Sequence, residues 1–273
     1  MLFVIFAARE EEYILMYMNN RCMNTDRKHA IVMGATSGIG LEVARLLAAR
    51  GWKVGIAGRR EKLLYDIMDE TPGIVAAQQI DVNSDDAVQD LMTLIDNTGG
   101  MDLYFHSSGI GFYNPELDVA KELATVTTNC LGFTRMVTAA FDYFASRPRR
   151  HGHIAVISSI ARTRGLGAAP AYSSSKRFVS HYLECLQQLA HIRHLDKLTI
   201  TDIRPGFVRT PLIEGSSFPY QLSAEAVAKD IVVAIERRRA TVTINGVYRL
   251  LVSLWSLIPR WLWVRMRIVG GRG

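Results

Sequence analysis

The run Ile31-Val32-Met33-Gly34-Ala35-Thr36-Ser37-Gly38-Ile39-Gly40 joins an apolar strand end, a glycine-rich turn and the start of a helix. Glycines at 34, 38 and 40 let the backbone turn tightly and approach a pyrophosphate closely. The helix that follows offers free N–H groups and the positive end of its dipole to an anion. The spacing is neither GxGxxG nor that of a P-loop, which ends in Gly-Lys-Ser/Thr. Taken alone, such a run fits a nucleotide loop or an ordinary tight turn. Its place between an apolar strand and an amphipathic helix favours the nucleotide loop.

Outward from this turn, short β-rich runs alternate with longer helical ones. His29–Met33, Lys53–Ala57, Ile74–Ile80, Leu103–Phe105, His153–Ser158 and Leu198–Ile203 read as strands. Several are almost wholly apolar, as parallel strands buried on both faces are. Gly38–Ala49 carries Ile39, Val43, Leu46 and Leu47 on one side of a helix. Further helices are predicted at Glu61–Glu70, Ser84–Asn97, Ala120–Ser146 and Ala171–Arg193, with Ser84 as an N-cap. This alternation, with no internal repeat and no Pro/Gly/Ser-rich linker, predicts an α/β fold. A doubly wound parallel sheet in one domain, residues 27–245, is expected.

The ends of the chain differ from its body. The sequence has 273 residues, 49% of them apolar, and a formal charge of +6. Residues 237–273 hold eight arginines and no Lys, Asp or Glu, which leaves 24 bases against 26 acids in the first 236 residues. A mildly acidic body argues against a basic groove for nucleic acid. Residues 1–26 open on eight apolar residues without a preceding basic region, a poor signal peptide that is too short to span a bilayer. They are expected to lie outside the fold, with Met23 a candidate translation start. Cys22, Cys130 and Cys185 form no CxxC pair, so a reducing, cytoplasmic setting is expected, with Cys130 a buried small residue.

Chemistry-bearing residues gather at the expected strand ends. The second strand runs into Gly58-Arg59-Arg60, where a ribose 2′-hydroxyl would want an acid and a 2′-phosphate an arginine. Arg59 and Arg60 thus favour NADP(H), unless both simply solvate a loop. Asp81-Val82, at the third strand's end, are placed to frame an adenine. Tyr172 and Lys176 stand four residues apart on one helix face, so the ammonium can favour the phenolate. Phenol titrates near ~10, and each unit of lowering needs roughly 1.4 kcal/mol of differential stabilisation. Tyr17 with Arg21 and Tyr143 with Arg147 share that spacing, so context decides. That context is Ser159, at the end of the fifth strand and thirteen residues before Tyr172, and Asn129, inside a helix that it disfavours.

Asn129, Ser159, Tyr172 and Lys176 behind a glycine loop resemble the short-chain dehydrogenase/reductase family, in its compact single-domain, Rossmann-like form. The likeness covers about residues 28–240. The family's Thr-Gly-x-x-x-Gly-x-Gly loop appears as Met33 to Gly40, and its Pro-Gly turn as Pro205-Gly206, followed by Val208 and Thr210. The resemblance implies hydride transfer between NADP(H) and a carbonyl/alcohol pair. In it Ser159 bonds the substrate oxygen, Tyr172 moves its proton, Lys176 lowers the Tyr172 pKa and holds the ribose, and Asn129 holds a water. Gly34, Thr36, Ser37, Gly38, Ile39, Gly40, Arg59, Arg60, Asp81, Val82, Ser108, Gly109, Pro205, Gly206, Val208 and Thr210 are the cofactor-binding residues it implies, together with Tyr172 and Lys176. No metal is expected, and a homo-oligomer, dimer or tetramer, is. Two departures stand out. Met33 replaces the loop threonine, and His106-Ser107-Ser108-Gly109 replaces Asn-Asn-Ala-Gly, with His106 expected to pack at a strand end without catalytic duty.

Substrate contacts are expected from the lid between Thr210 and Tyr220. Leu212, Ile213, Phe218 and Tyr220, with Phe112, Tyr113 and Leu166, predict an apolar-leaning pocket for a carbonyl or alcohol. Two other readings compete: a non-catalytic NADP(H)-binding regulator on the same fold, and a nucleotide-sugar epimerase or dehydratase. The second would want a GxxGxxG loop and a longer C-terminal domain. Residues 246–273 form an apolar tail with three of the four tryptophans. This tail fits a helix lying on an anionic membrane, or a cover for its own fold or a dimer partner.

Overall fold

The computed structural model describes residues 28–148, 150–210 and 220–266. Its order follows from where the apolar runs can be buried. β1 (His29–Met33), β2 (Lys53–Gly58), β3 (Ile74–Gln79), β4 (Leu103–His106), β5 (Gly152–Ile157) and β6 (Leu198–Arg204) are the six expected strands, five of them with bounds differing by a residue. β7 (Val208–Arg209) and β8 (Leu222–Ser223) form a separate short pair, and β9 (Thr241–Thr243) joins the main sheet. At three residues, β9 is too short to give a periodic signal, and the sequence reading missed it. The main sheet runs β3-β2-β1-β4-β5-β6-β9, and every pairing in it is parallel.

Alternation along β1 feeds two cores. Ala30 and Val32 face the layer of α1 (Gly38–Ala49), α2 (Glu61–Glu70) and α7 (Ala224–Glu236). Ile31 and Met33 face α3 (Ala87–Thr98), α5 (Phe133–Ala145) and α6 (Pro170–Ile192). Side chains one apart point to opposite faces, so an all-apolar strand is what a doubly covered sheet needs. The result is the doubly wound, Rossmann-like single-domain fold that the sequence predicts. The direction in which strands are added reverses between β1 and β4, since β2 and β3 build outward on one side and β4 to β6 on the other. In such sheets ligands bind at the C-terminal strand ends beside this switch point.

Two helix expectations need correction. The long helix predicted over 120–146 is α4 (Val119–Val126), a wide π turn (Thr127–Gly132) and then α5. Asn129 lies buried in that turn with its side chain engaged across to another loop, and π turns concentrate at functional sites. Ser84 does not cap α3, which starts only at Ala87. The Ser84 hydroxyl instead accepts from the Asp86 N–H at 3.2 Å, closing the turn ahead of the helix. Beyond the sheet, α8 (Gly246–Leu257) and α9 (Arg260–Trp263) form the C-terminal segment. Residues 1–26, with Cys22 and Tyr17, lie outside the described residues, as do Leu212, Ile213 and Phe218.

Candidate active site

The register of the strands sets up the site. Met33 pairs with Ala57 and with His106, and His106 with Val156, so Gly34, Ser107 and Ile157 emerge side by side at the sheet's upper edge. A cavity of about 770 Å³ opens there. Every residue singled out above for cofactor or catalysis borders it except Gly40 and Asn129.

Gly34 turns at φ +84°, a left-handed conformation that favours glycine. Gly40 works beneath the loop: a Cβ on it would lie 2.1 Å from the Gly34 carbonyl oxygen, so the first turn of α1 packs directly on the turn backbone. Ser37, the N-cap of α1, makes no side-chain cap bond, and the leading N–H groups of α1 are therefore available to an anion. Arg60 reaches across from the end of β2. Its guanidinium donates to the Thr36 hydroxyl at 2.6 Å and to the Ser37 hydroxyl at 3.0 Å, which sets a fixed cation at the rim of the glycine loop. Arg59 lies exposed beside it, and Asp81 and Val82 close this end of the cavity. A cradle that side chains would fill, free helix N–H groups and an adjoining cation fit a nicotinamide dinucleotide.

The other end holds the residues expected to move a proton. α6 starts at Pro170, which suits a first helical position. Glu122 of α4 accepts from the Ala171 N–H at 2.9 Å and so caps α6 with a carboxylate. This fixes Tyr172 in the first turn, and Lys176 follows one turn later with its Nζ 5.8 Å from the Tyr172 ring centre. Lys176 is buried and donates to the Ile157 carbonyl at 3.0 Å. Burial pushes its pKa down to about 8, opposed by the Asp202 carboxylate. Burial holds the Tyr172 phenol above its ordinary value, while a hydrogen bond with Ser159 pulls it down. Desolvation of the phenol outweighs the Ser159 bond.

The Asn129 side chain is fully engaged. Its Oδ1 accepts from the Ile110 N–H at 2.8 Å, and its Nδ2 donates to the Ile110 carbonyl at 2.7 Å and to the Ser175 hydroxyl at 3.0 Å. With both amide hydrogens engaged, the side chain holds the loop after β4. His106 is packed as expected, with its Nδ1 2.9 Å from the Tyr104 hydroxyl, and burial pushes it down to about 3. Cys130 is half-buried, not fully buried. Burial pushes its thiol up. Tyr143 and Arg147, with the same spacing as Tyr172 and Lys176, make a surface pair with the guanidinium 3.9 Å from the ring centre.

Several contributors escaped the sequence reading. Asp202 is buried at the end of β6, where its carboxylate accepts from the Ser158 and Ser180 hydroxyls and from Arg204 Nε at 2.7 Å. An acid inside a predicted strand was the available signal. Gly111 comes close to Tyr172, since a Cβ there would lie 2.5 Å from the ring. Phe207 and Trp255 add to the apolar wall formed by Phe112, Tyr113 and Leu166, whereas Tyr220 does not border the cavity. Among the described residues no cluster of His, Cys, Asp or Glu is fit to hold a metal.

Comparison with known proteins agrees with this geometry. The family model described as short chain dehydrogenase matches residues 28–218. An uncharacterized oxidoreductase of Myxococcus xanthus is 34% identical over 196 residues, covering 70% of this chain and 76% of the relative. A short chain dehydrogenase from Burkholderia cenocepacia, solved in complex with NADP, superposes with a TM-score of 0.75 at 19% identity, over 89% of this chain and 98% of its own. The 3-ketoacyl-(acyl-carrier-protein) reductase of Brucella melitensis, complexed with NADH, gives 0.71 at 19% identity, over 80% and 97%. These two structures share the fold, and the family match over most of the chain carries the assignment: the chain belongs to the short-chain dehydrogenase family, whose members are oxidoreductases.

Proposed function

We propose that the protein transfers a hydride between NADP(H) and an apolar-leaning carbonyl or alcohol, with Tyr172 as the general acid/base. The observation that carries this reading is the convergence of Ser159, Tyr172 and Lys176 on the cavity that the glycine loop also borders. In the direction of reduction, the Ser159 hydroxyl donates to the substrate oxygen and Tyr172 delivers its phenolic proton to that oxygen. Bound NADPH supplies the hydride that forms the new C–H bond. Lys176, largely protonated at neutral pH, offers N–H donors to the ribose hydroxyls. Asn129 holds the Ile110 peptide and with it the wall of the cleft.

The Arg60 fork beside Thr36 and Ser37, with Arg59, supports a 2′-phosphate at that corner. Exposed apolar side chains on α4 and α6, among them Leu123, Val126 and Phe178, support assembly into a homo-oligomer. The free thiols Cys130 and Cys185 fit a reducing cytoplasm. The test is NADPH oxidation with a panel of ketones and aldehydes, and the reverse with alcohols. Tyr172→Phe should abolish turnover while NADPH still binds. Retained turnover in that variant overturns the assignment, and wild-type binding of NADPH without turnover of any panel member would point to a non-catalytic regulator. Arg60→Ala should weaken NADPH about tenfold or more and leave NADH affinity unchanged, because a charge-assisted pair with phosphate is lost.

A further inference from the structure

The C-terminal helices are apolar on two sides. The inner side of α8 is held to the enzyme. Tyr248 is buried against Phe207, and Trp255 borders the cavity. Arg164, from the loop after Ser159, donates to the carbonyls of Trp255 at 3.0 Å, of Ser256 at 2.8 Å and of Ile258. The Trp263 indole of α9 donates to the Gly165 carbonyl at 2.8 Å. The segment is therefore clamped beside the cavity, and its orientation is fixed by side chains of the catalytic domain.

Among the described residues the outer side covers nothing. Val247, Leu250, Leu254 and Leu257 recur at intervals of three and four residues, so they form one stripe of α8, and each is more than half exposed. Trp261, Leu262 and Val264 continue the exposed apolar surface through α9. Arg249, Arg260 and Arg265 stand exposed around it, and no acidic residue occurs anywhere from 237 to the end of the chain. No helix among the described residues is long and apolar enough to cross a membrane.

We infer that this outer face docks on an anionic lipid bilayer, with α8 and α9 lying in the interfacial plane and the Trp255 side of the cavity turned toward the lipid. An apolar stripe bordered by Arg and Trp, and too short to span, is the pattern of an interfacial helix. Charge favours this occupant over a second copy of the chain. A symmetric pairing through the stripe would bring the arginines of one copy against those of the other, whereas phospholipid headgroups meet them with phosphates. The inference does not depend on the chemistry proposed above.

The test uses the full-length chain and vesicles of phosphatidylcholine with 30% phosphatidylglycerol, against pure phosphatidylcholine. The wild type should float with the anionic vesicles, and lipids brominated in the acyl chain should quench a tryptophan signal that Trp261→Phe removes. Leu250→Glu/Leu254→Glu/Leu257→Glu should lower binding about tenfold or more, with NADPH binding retained as the check on folding. Arg249→Gln/Arg260→Gln/Arg265→Gln, which keeps the stripe, should weaken binding to anionic vesicles by about 10–100-fold and leave that to neutral ones unchanged. Absence of flotation, or flotation of the glutamate variant equal to wild type, overturns the inference. So does a wild-type dimer that ignores vesicles and that the glutamate variant splits into monomers, since the stripe would then be covered by a second copy.

Discussion

Asn129 closes a two-way hydrogen-bonded pair with the Ile110 peptide, accepting its N–H at 2.8 Å and donating to its carbonyl at 2.7 Å. One carboxamide thus replaces a neighbouring strand for a loop that has none. The same Nδ2 reaches the Ser175 hydroxyl, which itself donates to the Tyr172 carbonyl at 2.8 Å. The π turn, the loop after β4 and the helix of Tyr172 and Lys176 are tied at one point.

Asn129→Ala should therefore lower stability by about 1–3 kcal/mol, the cost of leaving buried partners unsatisfied. Asn129→Asp keeps the shape but cannot donate to Ile110 or Ser175, and should be no better. Urea unfolding of the three proteins checks this. An aspartate variant as stable as wild type would show that the amide donors are idle.

Much of this was legible beforehand, and the physics explains which part. The strands are buried on both faces, so apolar runs such as Ile31–Met33 and Ile154–Val156 stand out, and their order places Gly34, Ser159 and Arg60 at one edge. What stayed hidden was set by tertiary contact. The π turn at Thr127–Gly132 is a local widening that no residue propensity encodes. The raised phenol of Tyr172 reflects burial, which a four-residue spacing cannot report. The clamp of Arg164 on carbonyls about ninety residues away leaves no pattern in either segment.

Gly111 should be the most sensitive position of the loop. A methyl group there would sit 2.5 Å from Tyr172 Cδ2 and 3.0 Å from Cε2, so the ring or the loop must move. Displacing a catalytic group by about 1 Å can cost on the order of 10²-fold in rate. Gly111→Ala should reduce kcat by at least about tenfold, with NADPH affinity nearly unchanged because the glycine loop is remote from the clash. Unaltered kcat would mean that the loop yields while the phenol holds its place.

Arg164→Ala should release the C-terminal helices. Its guanidinium holds three carbonyls at the end of α8, and hydrogen bonds to a charged group contribute about 1.5–3 kcal/mol each. Losing even one such bond raises the open population about tenfold. Limited trypsin digestion should then cut at Arg249 or Arg260 about ten times faster than in wild type, and Arg164→Lys should rescue little because an ammonium cannot fork to several carbonyls. Equal digestion rates in wild type and Arg164→Ala would mean that Tyr248 and Trp263 suffice to hold the segment.

Two buried histidines should make the fold sensitive to acid. His106 bonds the Tyr104 hydroxyl and His153 the Thr201 hydroxyl at 2.7 Å, and burial pushes both down to about 3. Unfolded, each titrates near about 6.5. Between those values the unfolded chain binds protons that the folded chain refuses, so stability is full above about 6.5 and falls as pH drops toward 3. At pH 5 each group has withdrawn on the order of 2 kcal/mol, about 4 together. His153→Gln keeps an amide within reach of Thr201 and removes one titrating group. It should be less stable than wild type at pH 7 but lose about half as much through these two sites between pH 7 and 5. Urea midpoints at the two pH values measure this, and an undiminished acid loss in the variant would assign the acid sensitivity to other groups.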